Sequence, residues 1–430
     1  MSEPDIDKIL SYGEKLADEA EVFMLDYTDI SLEQREMAVS SVFEHAGRSL
    51  FVRVVKDKHI GISGTSDIAR WKDCVDAAVS SAGLSEQVPG WTGFPEKTAL
   101  PKGSDPFDPA VTVSPDLAAE YLDRMNAGAA IHPEARIVTG GVSLSNGSAT
   151  IANSGGVYYM RKMSGISLGM DAICETSTGY EYDSSPFLDR INPEKIGEDT
   201  AYWAKSSRNG VDVETKKYAV VFSEHVVDSL ILDLFTEAVN GKNVLSKKSV
   251  FAGKLGEEVV HPSVSISDVP MDPAGFAWKR FDSEGTVTHD LSIVQNGVLS
   301  AFLYDVKTAS QANTASTGHA HRAGNGATFI HPHCLKIDAP KADVMDKPCL
   351  YVREVIGAHT ANSLTGEFSV EVANAFFAES GRFTRPVKKA MISGNIFDIL
   401  RGGVSISAET KTFDGAIVPK MRIENMQVIG

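Results

Sequence analysis

Six of the 18 prolines in this chain fall between residues 89 and 115, together with Gly90, Gly93 and Gly103. Proline fixes φ and removes a backbone donor, so this density excludes helix or central strand across the segment. The 430 residues are thereby divided. We expect an N-terminal unit over 1–88, a Pro-rich linker or arm over 89–114, a middle unit over 115–213 and a third over 214–430. Trp91, Phe94 and Phe107 within the arm call for apolar cover, from their own chain or from a partner.

Local patterning fills in these units. Ile6, Ile9, Leu10 and Leu16 have helical spacing, and Glu21 to Tyr27 reads as a strand. Leu50–Val55 and His59–Ser63 flank Lys56-Asp57-Lys58, a hairpin signal. Ile68, Val75, Ala78 and Val79 return to helical spacing. Helices are expected over 115–130 and 193–208, the second with Ile196 and Trp203 on its apolar side. Between them, Asn146-Gly147, Asn153-Ser154-Gly155-Gly156 and Ser164-Gly165 read as turns separating several strands, which makes the middle unit a meander with flanking helices. After one helix beyond Tyr218, short strands and Gly-rich turns dominate. The fold class is α+β: mixed helix and sheet first, then a β-rich, sandwich- or barrel-like C-terminal domain.

Composition removes several functions. A net charge of −16 opposes a nucleic-acid partner, which needs a basic surface. No apolar run approaches the roughly 20 residues that span a bilayer. The opening MSEPDIDKIL has no apolar core, so no signal peptide is expected. Cys74, Cys174, Cys334 and Cys349 are widely spaced and form no CxxC pair, which suits a reducing cytoplasm.

Residues 218–249 comprise a β-rich run, a long amphipathic helix and a Gly-Lys-rich end. Asp233 and Glu237 stand at i and i+4 on one face. They can do acid–base work, sit on a metal, or simply line a solvated face. His319, His321, His331, His333 and Cys334 are the one metal-like cluster, and alternation on a strand would put His319 and His321 on one side. No carboxylate accompanies them at zinc-site spacing, and loop histidines without a metal remain the competing reading. Neither a GxSxG elbow nor a phosphate loop is present.

Four segments in order resemble the TldD/PmbA family of metalloproteases over nearly the whole chain. They are AEVFMLDYTD with GRSLFVRVVKDKHIGISGTSD; VVFSEHVVDSLILDLFTEAVNGKNVLSKKS; AFLYDVKTASQANTASTGHAHR, with a signature loop at Ser316, Thr317, Gly318 and His319; and LTGEFSVEVANAFFAESGRFTRPVKKAMISGNIFDIL. In the TldD branch the helix carries HExxxH, and a later cysteine completes the zinc site. Here Leu232, Asp233 and Glu237 occupy those positions, and no cysteine follows Cys349. The resemblance is therefore to the PmbA (TldE) branch, which lacks the zinc set.

That resemblance implies a non-catalytic subunit with no cofactor of its own, in a cytoplasmic complex that degrades or processes unfolded peptides. It implies a TldD-like catalytic chain carrying zinc as partner, or a homodimer, with neither nucleic acid nor membrane involved. Two alternatives stand beside it. One is a free-standing metal-dependent hydrolase using His319, His321, His331 and His333. The other is a protein-binding modulator of DNA gyrase, as the family's older name suggests.

Overall fold

A computed structural model describes residues 5–430. Helix α1 (Ile6–Gly13) leads into β1 (Glu19–Arg35), β2 (Ala38–Lys56) and β3 (His59–Thr65), followed by α2 (Trp71–Ala82). The β2–β3 turn is the one expected: Asp57 and Lys58 have φ of 49° and 64°, the paired left-handed geometry that matches strand twist. The β1–β2 turn at Glu36-Met37 has the same geometry, without any Asn or Gly to announce it. Consequently β1 runs well beyond the expected Tyr27 and pairs with β2 along its whole length.

Beyond the arm come α3 (Pro115–Ala129), β4 (Arg136–Asn153), β5 (Tyr158–Cys174), β6 (Ser177–Ser185) and α4 (Pro193–Ser206). Each helix opens on a side-chain cap followed by proline: Ser114 accepts from the Leu117 amide, and Asn192 from that of Lys195. The expected turn at Asn146-Gly147 does not form. Both residues lie inside β4, where Gly147 pairs with Tyr27 of β1 and Met163 of β5. A Cβ on Gly147 would sit 2.3 Å from the Asp26 carbonyl oxygen, so this glycine serves close strand approach rather than a turn. Ser164-Gly165 also stays within β5, leaving Asn153–Gly156 as the turn between β4 and β5. The order β3-β2-β1-β4-β5-β6 makes one six-stranded antiparallel sheet shared by the first and middle segments.

The arm packs on this chain. Glu19 accepts from Trp91 Nε1 at 2.6 Å and from the Phe94 amide at 2.7 Å. Phe94 is buried under the Arg53 guanidinium, 4.9 Å from its ring centre. Further on, Asp105 pairs with Arg280 at 2.6 Å, so the arm crosses from the sheet to the C-terminal domain.

That domain begins with β7 (Lys216–Phe222) and a helix over 224–239. Its remaining strands are β8 (Ser265–Asp268), β9 (Leu291–Gln295), β10 (Val298–Leu299), β11 (Ala320–Arg322), β12 (Thr328–Ile330), β13 (Leu335–Asp338) and β14 (Cys349–Ile356). After them come β15 (Glu367–Glu379), β16 (Arg382–Pro386), β17 (Met391–Asn395), β18 (Ser405–Phe413) and β19 (Ala416–Ile429). The path β19-β17-β15-β14-β7 closes on itself because β7 also pairs with β19. This closed, mixed barrel realises the expected α+β class with a β-rich C-terminal domain. The 224–239 helix buries Val226, Val227, Leu230, Ile231 and Phe235 in the same core as the barrel residues Phe222, Val352 and Val418.

Two buried charge networks tie sheet to barrel domain. Arg53 bridges Glu21 and Glu284, each at 2.5 Å, and Arg322 reaches Glu21 at 2.6 Å. On β6, Glu181 is held by Arg353, Lys411 and His225. No helix among the described residues is long and apolar enough to cross a membrane.

Candidate functional site

The 224–239 helix is capped by Ser223 and runs through a π-helical stretch, Val227–Leu232, before the α segment Asp233–Val239. Such a wide turn re-aims the side chains that follow it and recurs at functional sites. Leu232, at the end of the stretch, is 2% exposed and belongs to the core. Asp233 and Glu237 instead line a cavity of about 590 Å³, together with Thr236, His331, His359 and Ser363. Burial raises the Asp233 carboxyl, while His331 opposes that rise and Glu237 adds to it. Glu237 accepts from Asn243 Nδ2 at 2.7 Å. The two acids therefore share a concave site, and His331 joins them there while its ring also meets that of His321 edge-on, 5.5 Å between centres.

His319, His321 and His333 form a hydrogen-bonded network with Asp268 at its base. Asp268, at the end of β8, is fully buried. Its Oδ1 accepts the His333 and Cys334 amides at 2.9 and 2.6 Å, and its Oδ2 lies 3.0 Å from His319 Nε2. Burial would raise this carboxyl, but His319 and His333 and the Cys334 amide bring it down to about 2. Burial first, and Lys279 second, push the His321 and His333 imidazoles far below the usual range, so both are neutral.

Neutrality fixes the tautomers. The Gly318 carbonyl only accepts, so His333 Nε2, 2.7 Å away, carries the proton and its Nδ1 is bare. His321 Nε2, 3.1 Å from that Nδ1, must then donate. The lone pair left on His321 Nδ1 faces Lys279 Nζ at 3.5 Å. These ring nitrogens are occupied by protein partners. Among the described residues no group of three or more His, Cys, Asp or Glu is placed to hold a metal ion. The metal reading of His319, His321, His331 and His333 is thus left with protein partners on the ring nitrogens of three of its four members. Cys334 is no nucleophile either, since burial and then Asp268 push its thiol up to about 12.

The Ser316-Thr317-Gly318 loop is a clasp. Thr317 Oγ1 accepts the Tyr304 amide at 2.7 Å and lies 3.0 Å from His319 Nδ1, while Ser316 Oγ donates to the Tyr304 carbonyl at 3.2 Å. Gly318, at φ +74°, turns the chain into the β11–β12 hairpin. Asp268 was missed by sequence reasoning. It stands 51 residues before its imidazole partner, at the end of a four-residue strand, and carries no local signal.

Models of the PmbA/TldA metallopeptidase domain 1, central domain and C-terminal domain match residues 20–82, 108–208 and 215–430. The chain belongs to the PmbA/TldD family. It is 29% identical over 405 residues to an uncharacterized Methanocaldococcus jannaschii protein, covering 94% of this chain and 95% of that one. To the metalloprotease PmbA of Escherichia coli O157:H7 it is 28% identical over 433 residues, covering 96% and 93%. A crystal structure of TldE from Thermococcus kodakarensis superposes with a TM-score of 0.91 at 21% identity, covering 99% and 100%. A Thermotoga maritima protein described as a candidate DNA-gyrase modulator gives 0.89 at 25%, covering 98% and 99%.

The zinc that the resemblance implies does not fit the residues at its expected positions. Leu232 offers no donor atom and faces the core. Glu237 is engaged by Asn243, and Cys349 is buried in β14, where burial raises its thiol. Hydrolytic zinc needs about three protein ligands and an open position, which these side chains do not assemble.

Proposed function

We propose that this chain is a non-catalytic, TldE-like subunit of a PmbA/TldD-type peptidase. It pairs with a TldD-like chain that holds the zinc and helps present unfolded peptides to it. One observation carries the reading: the 224–239 helix lines a concave cleft, while Leu232, where the resemblance puts the family's first zinc ligand, is buried in the core. A subunit without catalytic ligands still supplies channel wall, strand edges for an extended peptide and an ordering interface. Four free, buried cysteines support a cytoplasmic setting.

The test compares the purified chain, a TldD-like partner and their mixture on an unstructured peptide, with metal content measured alongside. We expect cleavage and stoichiometric zinc only where the partner is present. Chelator-sensitive cleavage by this chain alone would overturn the proposal.

A further inference from the structure

A second cavity, of about 450 Å³, lies between one face of the six-stranded sheet and the β11–β12 hairpin. Its floor is apolar: Phe23 and Phe51 are buried, and Phe329 stands at the rim, 46% exposed. Its charge is one-sided. Arg161, Lys279 and Arg322 line it, and no carboxylate does, in a chain of net charge −16.

Arg322 is neutralised by Glu21 at 2.6 Å. Arg161 and Lys279 differ. Among the described residues neither has a carboxylate within ion-pair distance, and the buried Nε of Arg161 has no hydrogen-bond partner. Strand register places Arg161 at the end of the row Ser49, Leu25, Ala149, Arg161, so its guanidinium caps an apolar surface. Burial first, then Arg161, push the Lys279 ammonium down to about 8, against the pull of Asp414, Asp268 and Asp282. His321, the neutral neighbour of Lys279, brings no negative charge. Unpaired cations in a half-enclosed apolar cavity are costly unless an anion joins them.

We propose that this cavity binds a carboxylate joined to an apolar side chain, of the kind found at the C-terminal residue of a peptide. Arg161 meets the carboxylate with its planar fork and Lys279 as a point charge, while the side chain lies on Phe23 and Phe51. The preference for an oxyanion stands on the cavity alone; the peptide as its source rests on the peptide-handling function proposed above.

The experiment is calorimetric titration of the full chain at pH 7 with four probes: N-acetyl-phenylalanine, its C-terminal amide, inorganic phosphate, and a tripeptide ending in free phenylalanine. We expect the free acid to bind about tenfold or more tighter than the amide, and the tripeptide to bind as the acid does. Arg161→Gln and Lys279→Met should each weaken the acid by a similar factor. Arg161→Gln should do so without lowering the melting temperature, because its buried Nε has no hydrogen bond to lose, whereas Lys279→Met also takes away the partner of His321 Nδ1. Equal binding of acid and amide, loss of neither on substitution, or binding of phosphate alone would each overturn the proposal. Binding of the acid but not of the tripeptide would uphold the oxyanion site and reject the peptide as its source, leaving the subunit function to its own test.

Discussion

Asp268 Oδ2 and His319 Nε2 meet at 3.0 Å with neither residue more than 1% exposed. One carboxylate thereby anchors β8, the β11–β12 hairpin and the start of β13, through one imidazole and two amides. Asp268→Ala should cost about 3 kcal/mol, since three buried donors lose their acceptor. The carboxyl is depressed in the fold, to about 2. Its stabilisation is therefore full above the unfolded value near 4 and is lost as pH falls from there toward 2. Urea titrations across that window should show a steep loss for the native chain and a shallower one for the variant.

Asp228 behaves in the opposite sense. Burial, then Asp233 and Asp414, push its carboxyl up to about 7. A folded-state value above the unfolded one favours folding at low pH, and that advantage is lost as pH rises from about 4 to 7. Asp228→Asn should stabilise the chain at pH 8 by about 2 kcal/mol, because each pH unit is worth roughly 1.4 kcal/mol and part of the group faces solvent. At pH 4 the two proteins should unfold at nearly the same denaturant concentration.

Removing Arg53 leaves Glu284 buried without its cation, while Glu21 keeps Arg322. In the native protein, burial disfavours the guanidinium but Glu21 and Glu284 more than restore its charge. Arg53→Met should cost about 4 kcal/mol. Because the lost contact joins sheet to barrel domain, calorimetry should show one transition splitting into two.

Much of the secondary structure was legible wherever the signal was local. Ser114-Pro115 and Asn192-Pro193 start their helices as expected, and Asp57-Lys58 turns its hairpin. Legibility failed where a residue answers to a distant neighbour. Gly147 looks like a turn but accommodates the Asp26 carbonyl across the sheet. Glu36-Met37 turns without a turn residue, and the pairing of β1 with β4 across the arm leaves no periodic trace. The cleft acids Asp233 and Glu237 were visible, but neither His359 opposite them nor Asp268 in the histidine network had a spacing that could reveal it.

Gly147→Ala tests that account of the Asn-Gly pair. A methyl group 2.3 Å from backbone oxygen forces the strands apart, and a loss of about 2 kcal/mol is expected. Gly402→Ala, with nothing within 4 Å of the added carbon, should stay within about 0.5 kcal/mol. Equal effects in thermal denaturation would count against the close-approach explanation.

Replacing Asp233 and Glu237 together with alanine probes the cleft itself. For a subunit that does not perform the hydrolysis, peptide cleavage by the assembled complex should keep the same order of magnitude. Loss of cleavage with an unchanged circular dichroism spectrum would assign these acids a direct part in the reaction.

The closure of the barrel sets a constraint in time as well as space. Phe222 of β7 pairs with Met421 of β19, a contact spanning roughly two hundred residues, and loops that long are slow to form. The sheet over residues 19–185 can assemble while β7 still waits for both of its neighbours, β14 and β19. During that interval β7 presents two open edges and the apolar Val220-Val221-Phe222 run, a template for pairing with other chains. Until that last strand arrives, the incomplete barrel is the state in which this molecule is most exposed to aggregation.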